Sequence, residues 1–187
     1  SDVYKRQGFL RRIMEDPRTD ELETPVVFGG IYDPEATLLC RDKVGQELTL
    51  TFGAKFDRSS SVPITAKGTV LAYIKGWNKF HGVGDIALFR SCGVDIVLSE
   101  NHIGYGLPAV FGDLGRNPAD MQIVVCKLGY LTAQQAAYAK RSIMALSKGS
   151  TNEDLTSLDY RHIPRPIFPL DKDFSFEPAE NLIRKTK

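Results

Sequence analysis

A short apolar strand that runs into a helix cap constrains the fold of this chain more than any other stretch. The segment TPVVFGGIYDPEA, residues 24–36, places the apolar run PVV before a double glycine and an Asp-Pro-Glu sequence. Asp33 is a favourable N-cap, Pro34 fits the first helical position, and Glu35 suits the positive end of the helix dipole. The stretch therefore predicts a strand joined to a helix, which is a building unit of α/β folds.

The double glycine also raises the question of a phosphate-binding loop. Neither G-x-x-x-x-G-K-[ST] nor G-x-G-x-x-G is found after this strand. A helix N-terminus attracts anions, but Asp33 and Glu35 already place negative charge at this one. We therefore interpret the glycines as a joint between strand and helix rather than as a phosphate site.

The rest of the chain alternates predicted strands and helices. Helical spacing of apolar residues predicts a helix over FLRRIMED (9–16), and Pro108 precedes a short one in LPAVFGDLG (107–115). A threonine cap and a run rich in alanine and glutamine predict a helix over TAQQAAYAKRSIMAL (132–146). EPAENLIRKTK (177–187) is expected to form a frayed terminal helix.

Apolar alternation and short apolar runs predict the strands. QELTLTFGAKF (46–56) and VPITAKGTVLAYIKG (62–76) are β-rich, with Gly68 as a bulge or bend, and WNKFHGVGD (77–85) is expected to be a turn-rich connection. IALFRSCGVDIVLSE (86–100) predicts two strands that meet at residues 91–93. MQIVVCKLGYL (121–131) predicts a buried strand.

These elements predict an α/β fold, with one domain whose mixed β-sheet is flanked by helices and followed by a proline-rich C-terminal arm. The arm is YRHIPRPIFPLDKDF (160–174), whose prolines favour an extended chain lying on the domain. We expect the domain to span residues 8–174 and a tail to span 175–187. Residues 1–7, SDVYKRQ, resemble translated sequencing-adapter text, so we expect an artefact or a disordered tail there.

Charge and cysteine content exclude several classes of function. The formal net charge of +1 gives no bulk electrostatic case for binding nucleic acid or an anionic membrane. The apolar runs are far shorter than the ~20 residues that cross a bilayer. Three dispersed cysteines do not form a disulfide framework. We therefore expect a cytoplasmic protein without a membrane or nucleic-acid partner.

No self-contained catalytic motif is visible. The histidines His81, His102 and His162 are isolated in sequence, so we predict no metal site, although distant residues could still converge. Cys126 lies in an apolar run that predicts a buried, inert thiol. Cys92 lies on a turn and is more plausible as a reactive thiol, but no adjacent residue would activate it. The G-x-S-x-G elbow of serine hydrolases is absent as well.

Three side chains remain as candidates for contact with a substrate. Lys127 follows an apolar strand, and α/β proteins collect ligand contacts at strand ends; the alternative is a lysine whose stem packs while its charge reaches solvent. Asn101 and His102 stand with Tyr105 on the loop SENHIGYG (99–106), which leaves another strand. A plain connecting loop is the alternative there. We predict no catalytic residue in this chain.

Six segments in this order carry a family resemblance: GGIYDPEATLLC, LTLTFGAKFD, GVDIVLSE, IVVCKLGYL, ALSKGSTNEDL and YRHIPRPIFPLD. Together they resemble the C-terminal domain of MlrC-type microcystin-degradation proteins, a family regarded as metallopeptidases. The resemblance covers roughly residues 9–174. The combination of an IYDPEA joint, a K-x-G-Y strand end and an R-P-[IY]-[FYW]-P-L-D tail is its most specific part.

The resemblance implies that catalysis depends on a domain other than this one. Members carry a larger N-terminal domain that supplies histidine and acidic zinc ligands, and a glycine-rich D-N-P-G-G-G segment before the first helix of the C-terminal domain. Neither is seen in this sequence, so we expect an N-terminally truncated fragment that is inactive alone and holds no cofactor. Its expected partners are the missing domain and a peptide or amide substrate.

One departure from the family pattern bears on the substrate. Many members read S-x-x-H-F-R after the strand that ends at Lys127, whereas this chain reads LGYLTAQ. This difference puts microcystin itself in doubt and leaves another peptide or amide as the expected substrate. A structural or homo-oligomerisation module, without any direct contact to substrate, is the alternative function.

Overall fold

A six-stranded sheet is the main element of the fold in a computed structural model, which describes residues 6–55, 61–79, 82–105, 108–128, 130–145 and 154–175. The chain divides into two compact units, residues 1–151 and 152–187. The sheet belongs to the first unit. Every helix that the structure describes is too short or too polar to cross a bilayer.

The described part of the first unit contains four α-helices and six strands. The helices are α1 (Arg6–Glu15), α2 (Pro34–Leu39), α3 (Ala109–Asp113) and α4 (Ala133–Ala136). The strands are β1 (Val26–Tyr32), β2 (Glu47–Phe52), β3 (Ile64–Lys79), β4 (Gly82–Ser91), β5 (Val94–Ser99) and β6 (Val124–Cys126).

The sheet is mixed, with the strand order β2-β3-β4-β5-β1-β6. β2 to β5 form an antiparallel meander, whereas β1 pairs in parallel with both β5 and β6. Parallel strands need crossover connections, and α3 lies in the crossover from β5 to β6. The predicted α/β class with a mixed sheet is confirmed.

Alternate residues of the strands face two separate apolar clusters. Phe28 and Ala87 belong to the cluster that includes Leu10 of α1 and Ala36 of α2. Val27 and neighbouring β4 residues face the other cluster, which includes residues of α3. Helices therefore cover both faces of the sheet, as the period-two alternation of buried strand residues requires.

Several local predictions are confirmed in detail. Asp33 caps α2, because its Oδ1 accepts from the N–H of Ala36 at 3.1 Å, and Pro34 begins the helix. In β2, Leu50 and Phe52 are buried while Thr49 and Thr51 are exposed. The turn between β4 and β5 falls at Cys92 and Gly93, as expected.

The predicted connection WNKFHGVGD is wrong, because most of it belongs to strands. β3 continues to Lys79 and β4 begins at Gly82. The bulges of β3 lie between Val70 and Ala72 and between Ile74 and Trp77. Gly68 is therefore not a bulge. A Cβ there would lie 2.1 Å from the carbonyl oxygen of Arg90, so glycine allows the close approach of two backbones.

Two elements near the end of the first unit are shorter than predicted. The buried strand of MQIVVCKLGYL is reduced to the three half-buried residues of β6, because this strand lies at the edge of the sheet. The helix over residues 132–146 is reduced to α4. Helices gain most of their stability from packing an apolar face, yet Ile143 and Met144 remain 77% and 55% exposed.

The described part of the second unit, residues 154–175, contains a single 3₁₀ turn at Leu155–Ser157. The arm predicted over 160–174 does not stay extended throughout, because the chain turns back between Arg165 and Asp171. Asp171 accepts from the N–H of Ile167 at 2.7 Å and from Nε of Arg165 at 2.5 Å, while its own N–H bonds the carbonyl of Ile167 at 2.9 Å. The helix predicted over 177–187 lies outside the described residues.

Candidate functional site

The carboxyl ends of the three parallel strands meet at one edge of the sheet. β1 ends at Tyr32, β5 at Ser99 and β6 at Cys126. We call this region the carboxyl edge. Open α/β sheets bind ligands outside such strand ends, so the position is suited to a functional site.

Asn101 and His102 both lie on the loop that leaves β5 at the carboxyl edge, and both are exposed. The side-chain amide of Asn101 donates to the carbonyl of Val83 in β4. The imidazole of His102 packs on the ring of Tyr32, with ring centroids 5.3 Å apart and planes inclined by 34°. Asn101 thus contacts β4 and His102 contacts β1, which are the two strands on either side of β5.

Lys127 follows β6 directly and is half-buried. Because β1 lies between β5 and β6, Lys127 is two strand spacings, roughly 10 Å, from the β5 loop. All three predicted candidates therefore lie at the same edge, but only Asn101 and His102 are close neighbours. Their predicted contact with substrate stays a prediction.

The double glycine leaves space for two aromatic rings to pack on β1 near the carboxyl edge. Both glycines lie inside β1 rather than at its joint with α2, which corrects the interpretation from sequence. A Cβ on Gly30 would lie 2.0 Å from Oη of Tyr105, and one on Gly29 would lie 2.7 Å from Cζ of Phe111. Only glycine lets these rings pack directly on the strand.

The loop after β5 is held by further hydrogen bonds. Tyr105 donates from Oη to Oγ of Ser99 at 3.4 Å, and its carbonyl accepts from Nε2 of Gln135 at 3.3 Å. Gln135 also forms a capping box with Thr132 at the start of α4. α4 thus fixes the loop that carries His102.

A second polar cluster, which the sequence analysis missed, lies where α2, β3 and β4 meet. Nη2 of Arg41 lies 2.7 Å from Oδ2 of Asp85, and the same carboxylate accepts from the hydroxyl of Tyr73. Oδ1 of Asp85 accepts from the N–H of Gly76 at 2.8 Å. These residues are far apart in sequence, and no motif connects them.

The electrostatics of this cluster follow from its hydrogen bonds. Burial opposes ionisation of Asp85, but hydrogen bonds from Tyr73, Arg41 and Gly76 outweigh it and lower its pKa to about 2. Burial and the hydrogen bond to Asp85 raise the pKa of Tyr73. The carboxylate therefore stays charged at neutral pH and ties the β3 bulge to α2, which is a structural role.

The start of α2 is occupied by its own side chains. Asp33 is fully buried, and its two carboxylate oxygens accept from Ala36 and from the N–H of Gly53, the latter at 2.8 Å. Nζ of Lys55 lies 2.5 Å from Oε2 of Glu35. These contacts agree with the interpretation that the segment does not bind phosphate.

Metal ligands and thiols add no catalytic centre to the described residues. Across the part of the chain that the structure describes, no three His, Cys, Asp or Glu side chains come together as a metal site; His81 lies outside this part. Burial raises the pKa of Cys40 to about 12. Cys92 is exposed on its turn, and Cys126 is half-buried in β6.

The end of the sheet opposite the carboxyl edge, where β5 begins, holds a buried carboxylate with a structural role. Asp95 of β5 is fully buried and accepts hydrogen bonds from Nε of Arg90 at 2.6 Å and from Nε of Arg116 at 2.5 Å. Both arginines are partly exposed. This pairing joins β4 and the segment after α3 to the amino end of β5.

Comparisons with known proteins agree with this architecture. The model of a family described as MlrC C-terminus matches residues 4–162. A solved structure described as a "Putative metallopeptidase" from Mesorhizobium sp. BNC1 superposes with a TM-score of 0.63 at 22% identity. The similarity covers 87% of this chain and 35% of that one, so this chain spans about a third of the other's length. The search among curated proteins found no match.

Proposed function

Because the chain belongs to the family described as MlrC C-terminus, we propose that it is the C-terminal domain of a zinc-dependent peptide or amide hydrolase and helps to shape the substrate cleft. The family match over residues 4–162 confirms the resemblance; it contains the first five quoted segments and the first three residues of the sixth. The similar Mesorhizobium structure, which is described as a "Putative metallopeptidase", supports the reaction class. The protein is proposed to act in the cytoplasm, without nucleic acid or membrane as partner.

The metal is proposed to be held by a separate N-terminal domain. The described residues of this chain do not fit a metal site, because no set of three ligand side chains comes together among them. We therefore assign no step of the reaction to a metal bound here. The Mesorhizobium protein is nearly three times as long as the matched region, which supports a further domain in relatives of this chain.

The observation that carries the proposal is the position of the predicted side chains on the carboxyl edge. Lys127 can attract a carboxylate of a peptide, and His102 can exchange hydrogen bonds with a peptide group while Tyr32 supports its ring. The side-chain oxygen of Asn101 can accept a peptide N–H, since its amide nitrogen already bonds Val83. These three residues would orient substrate, and none would be catalytic.

Replacing the residue equivalent to Lys127 by alanine in a full-length relative tests this role. Peptide hydrolysis should fall at least tenfold, mainly through KM, because a charge-assisted contact to substrate is lost. The matched control is Lys43→Ala, which removes an exposed lysine in the turn region that follows α2. Size-exclusion chromatography should show unchanged assembly for both variants. An unchanged kcat/KM in the Lys127 variant would contradict a cleft-shaping role.

A structural or oligomerisation module is the second candidate function, and one feature of the second unit favours it. The loop closed by Asp171 presents Phe168, which is 74% exposed, together with Ile167. Rigid presentation of an aromatic side chain is typical of binding anchors. A Phe168→Ser variant that loses assembly, together with a Lys127→Ala variant that keeps its full kcat/KM, would favour this candidate.

A further inference from the structure

A cleft lies along the outer side of β6 in the first unit. Its volume is about 690 Å³, and its walls come from residues 118–122, Gln135, the segment 138–144, and Val124, Cys126, Leu128, Tyr130 and Leu131. This volume lies within the range of ligand-binding pockets in proteins. Apolar side chains dominate the walls, among them Met121, Leu128, Tyr138, Ile143 and Met144.

The register of β6 shows which backbone groups face this cleft. Val27 of β1 is level with Val124, and its N–H donates to the carbonyl of Ile123 at 3.0 Å. In a parallel pair, residues 123 and 125 therefore direct their backbone groups toward β1, and Val124 directs its groups outward. Among the described residues, Val124 has no backbone partner on that outward side.

The open edge indicates which kind of molecule the cleft suits. A purely apolar ligand would bury the N–H and C=O of Val124 without partners, which costs free energy. An extended peptide supplies both partners and places alternate side chains against the apolar walls. We propose that an extended peptide with apolar side chains and a carboxylate binds in this cleft as an additional strand beside β6.

The charges at the rim of the cleft are the reason for proposing a carboxylate on the bound peptide. Lys140 and Arg141 are exposed on one wall, and Asp120 is the acidic side chain among the lining residues. Asp120 already accepts from the side-chain amide of Asn117 at 2.9 Å. The rim therefore carries an excess of positive charge, which complements an acidic peptide.

This inference rests on the proposed function, because it deepens the substrate class from peptide or amide to an extended acidic peptide. Lys127 follows β6 directly, so a peptide paired with β6 leads to the carboxyl edge. The cleft would thus position the chain of a substrate that reaches the side chains proposed above.

The test measures binding to this chain without any turnover. The probe is a fluorescein-labelled peptide, acetyl-Val-Leu-Val-Leu-Glu, followed by fluorescence anisotropy. Val124→Pro removes only the outward N–H, since proline is tolerated where a strand donor faces away from the sheet. We expect about fivefold weaker binding than for Val124→Ala, which keeps the N–H, as the loss of one hydrogen bond predicts.

Two further probes leave the protein unchanged, so the test stands even if Val124→Pro does not fold. A probe with N-methylated backbone amides should bind at least tenfold more weakly, and a probe with lysine in place of glutamate should also bind more weakly. Amide NMR shifts should change in residues 121–128 and 138–144. Equal binding of the N-methylated probe, or shifts confined to other residues, would overturn the inference.

Failure of the proposed function would look different. A full-length relative that hydrolyses no peptide or amide would refute the hydrolase proposal, and it would leave the binding measured on this chain intact. Absence of probe binding to this chain would refute the strand-addition inference, while hydrolysis by a full-length relative could still be measured.

Discussion

Replacing Asp85 with asparagine should lower the free energy of unfolding by about 2 kcal/mol at pH 7, since a carboxyl pKa lowered from 3.8 to about 2 corresponds to that amount of stabilisation. Asp85 is 5% exposed, so solvent screens its contacts with Tyr73, Arg41 and Gly76 only weakly. Asparagine keeps the shape of the side chain and removes its charge.

The sign of the pH dependence follows from the lowered pKa. A carboxylate whose pKa is lower in the folded state stabilises the protein above its unfolded value of about 3.9, and this contribution is lost as the pH falls toward 2. The difference between wild type and Asp85→Asn should therefore be about 2 kcal/mol at pH 5, and below about 0.5 kcal/mol at pH 2.

Urea unfolding followed by circular dichroism between pH 7 and pH 2 measures this difference. Glu21→Gln is the matched control, because it removes the charge of an exposed carboxylate and should change stability little. Tyr73→Phe, which removes one donor to Asp85, should give an intermediate loss. A difference that stays constant down to pH 2, or no difference at pH 7, would refute the assignment of this stabilisation to the ionised carboxylate.

Two further predictions concern packing and thiol reactivity. Gly30→Ala should destabilise the protein by about 2 kcal/mol through overpacking, whereas Gly112→Ala should be neutral or slightly stabilising, because a Cβ at Gly112 meets no atom within 4 Å. Thermal unfolding of both variants measures the difference, and equal melting temperatures would contradict the packing argument. Cys92 should react with a maleimide at pH 8 within minutes while Cys40 reacts only on unfolding, since Cys40 is buried with a pKa raised to about 12. Peptide mapping by mass spectrometry distinguishes the two labelled cysteines, and early labelling of Cys40 would contradict its burial.

Features that depend on neighbours in sequence could be predicted. The cap at Asp33, the alternation of β2 and the turn at Cys92 and Gly93 follow from residues a few positions apart. The carboxyl edge was also within reach, because a polar residue that follows an apolar run is visible in the sequence. That information sufficed to mark Lys127 and His102.

Features that depend on distant contacts could not be predicted. The glycines of WNKFHGVGD suggested turns, but Gly82 begins β4 and Gly84 lies within it, paired with Trp77 of β3. The helix expected after Thr132 ends early, because no apolar face covers its second half. The role of the double glycine required knowledge that Tyr105 packs on it. Each of these outcomes is decided by a partner far along the chain.

The strand order has a consequence for the order in which the protein can fold. β3, β4 and β5 form a meander of chain neighbours, so they can pair as soon as they have been synthesised. β1 leaves the ribosome much earlier, yet both of its partners come later: Val27 lies beside Asp95 and Val124. Its apolar residues therefore lack a neighbouring strand until residues 94–99 have been synthesised, which exposes β1 to aggregation during that interval.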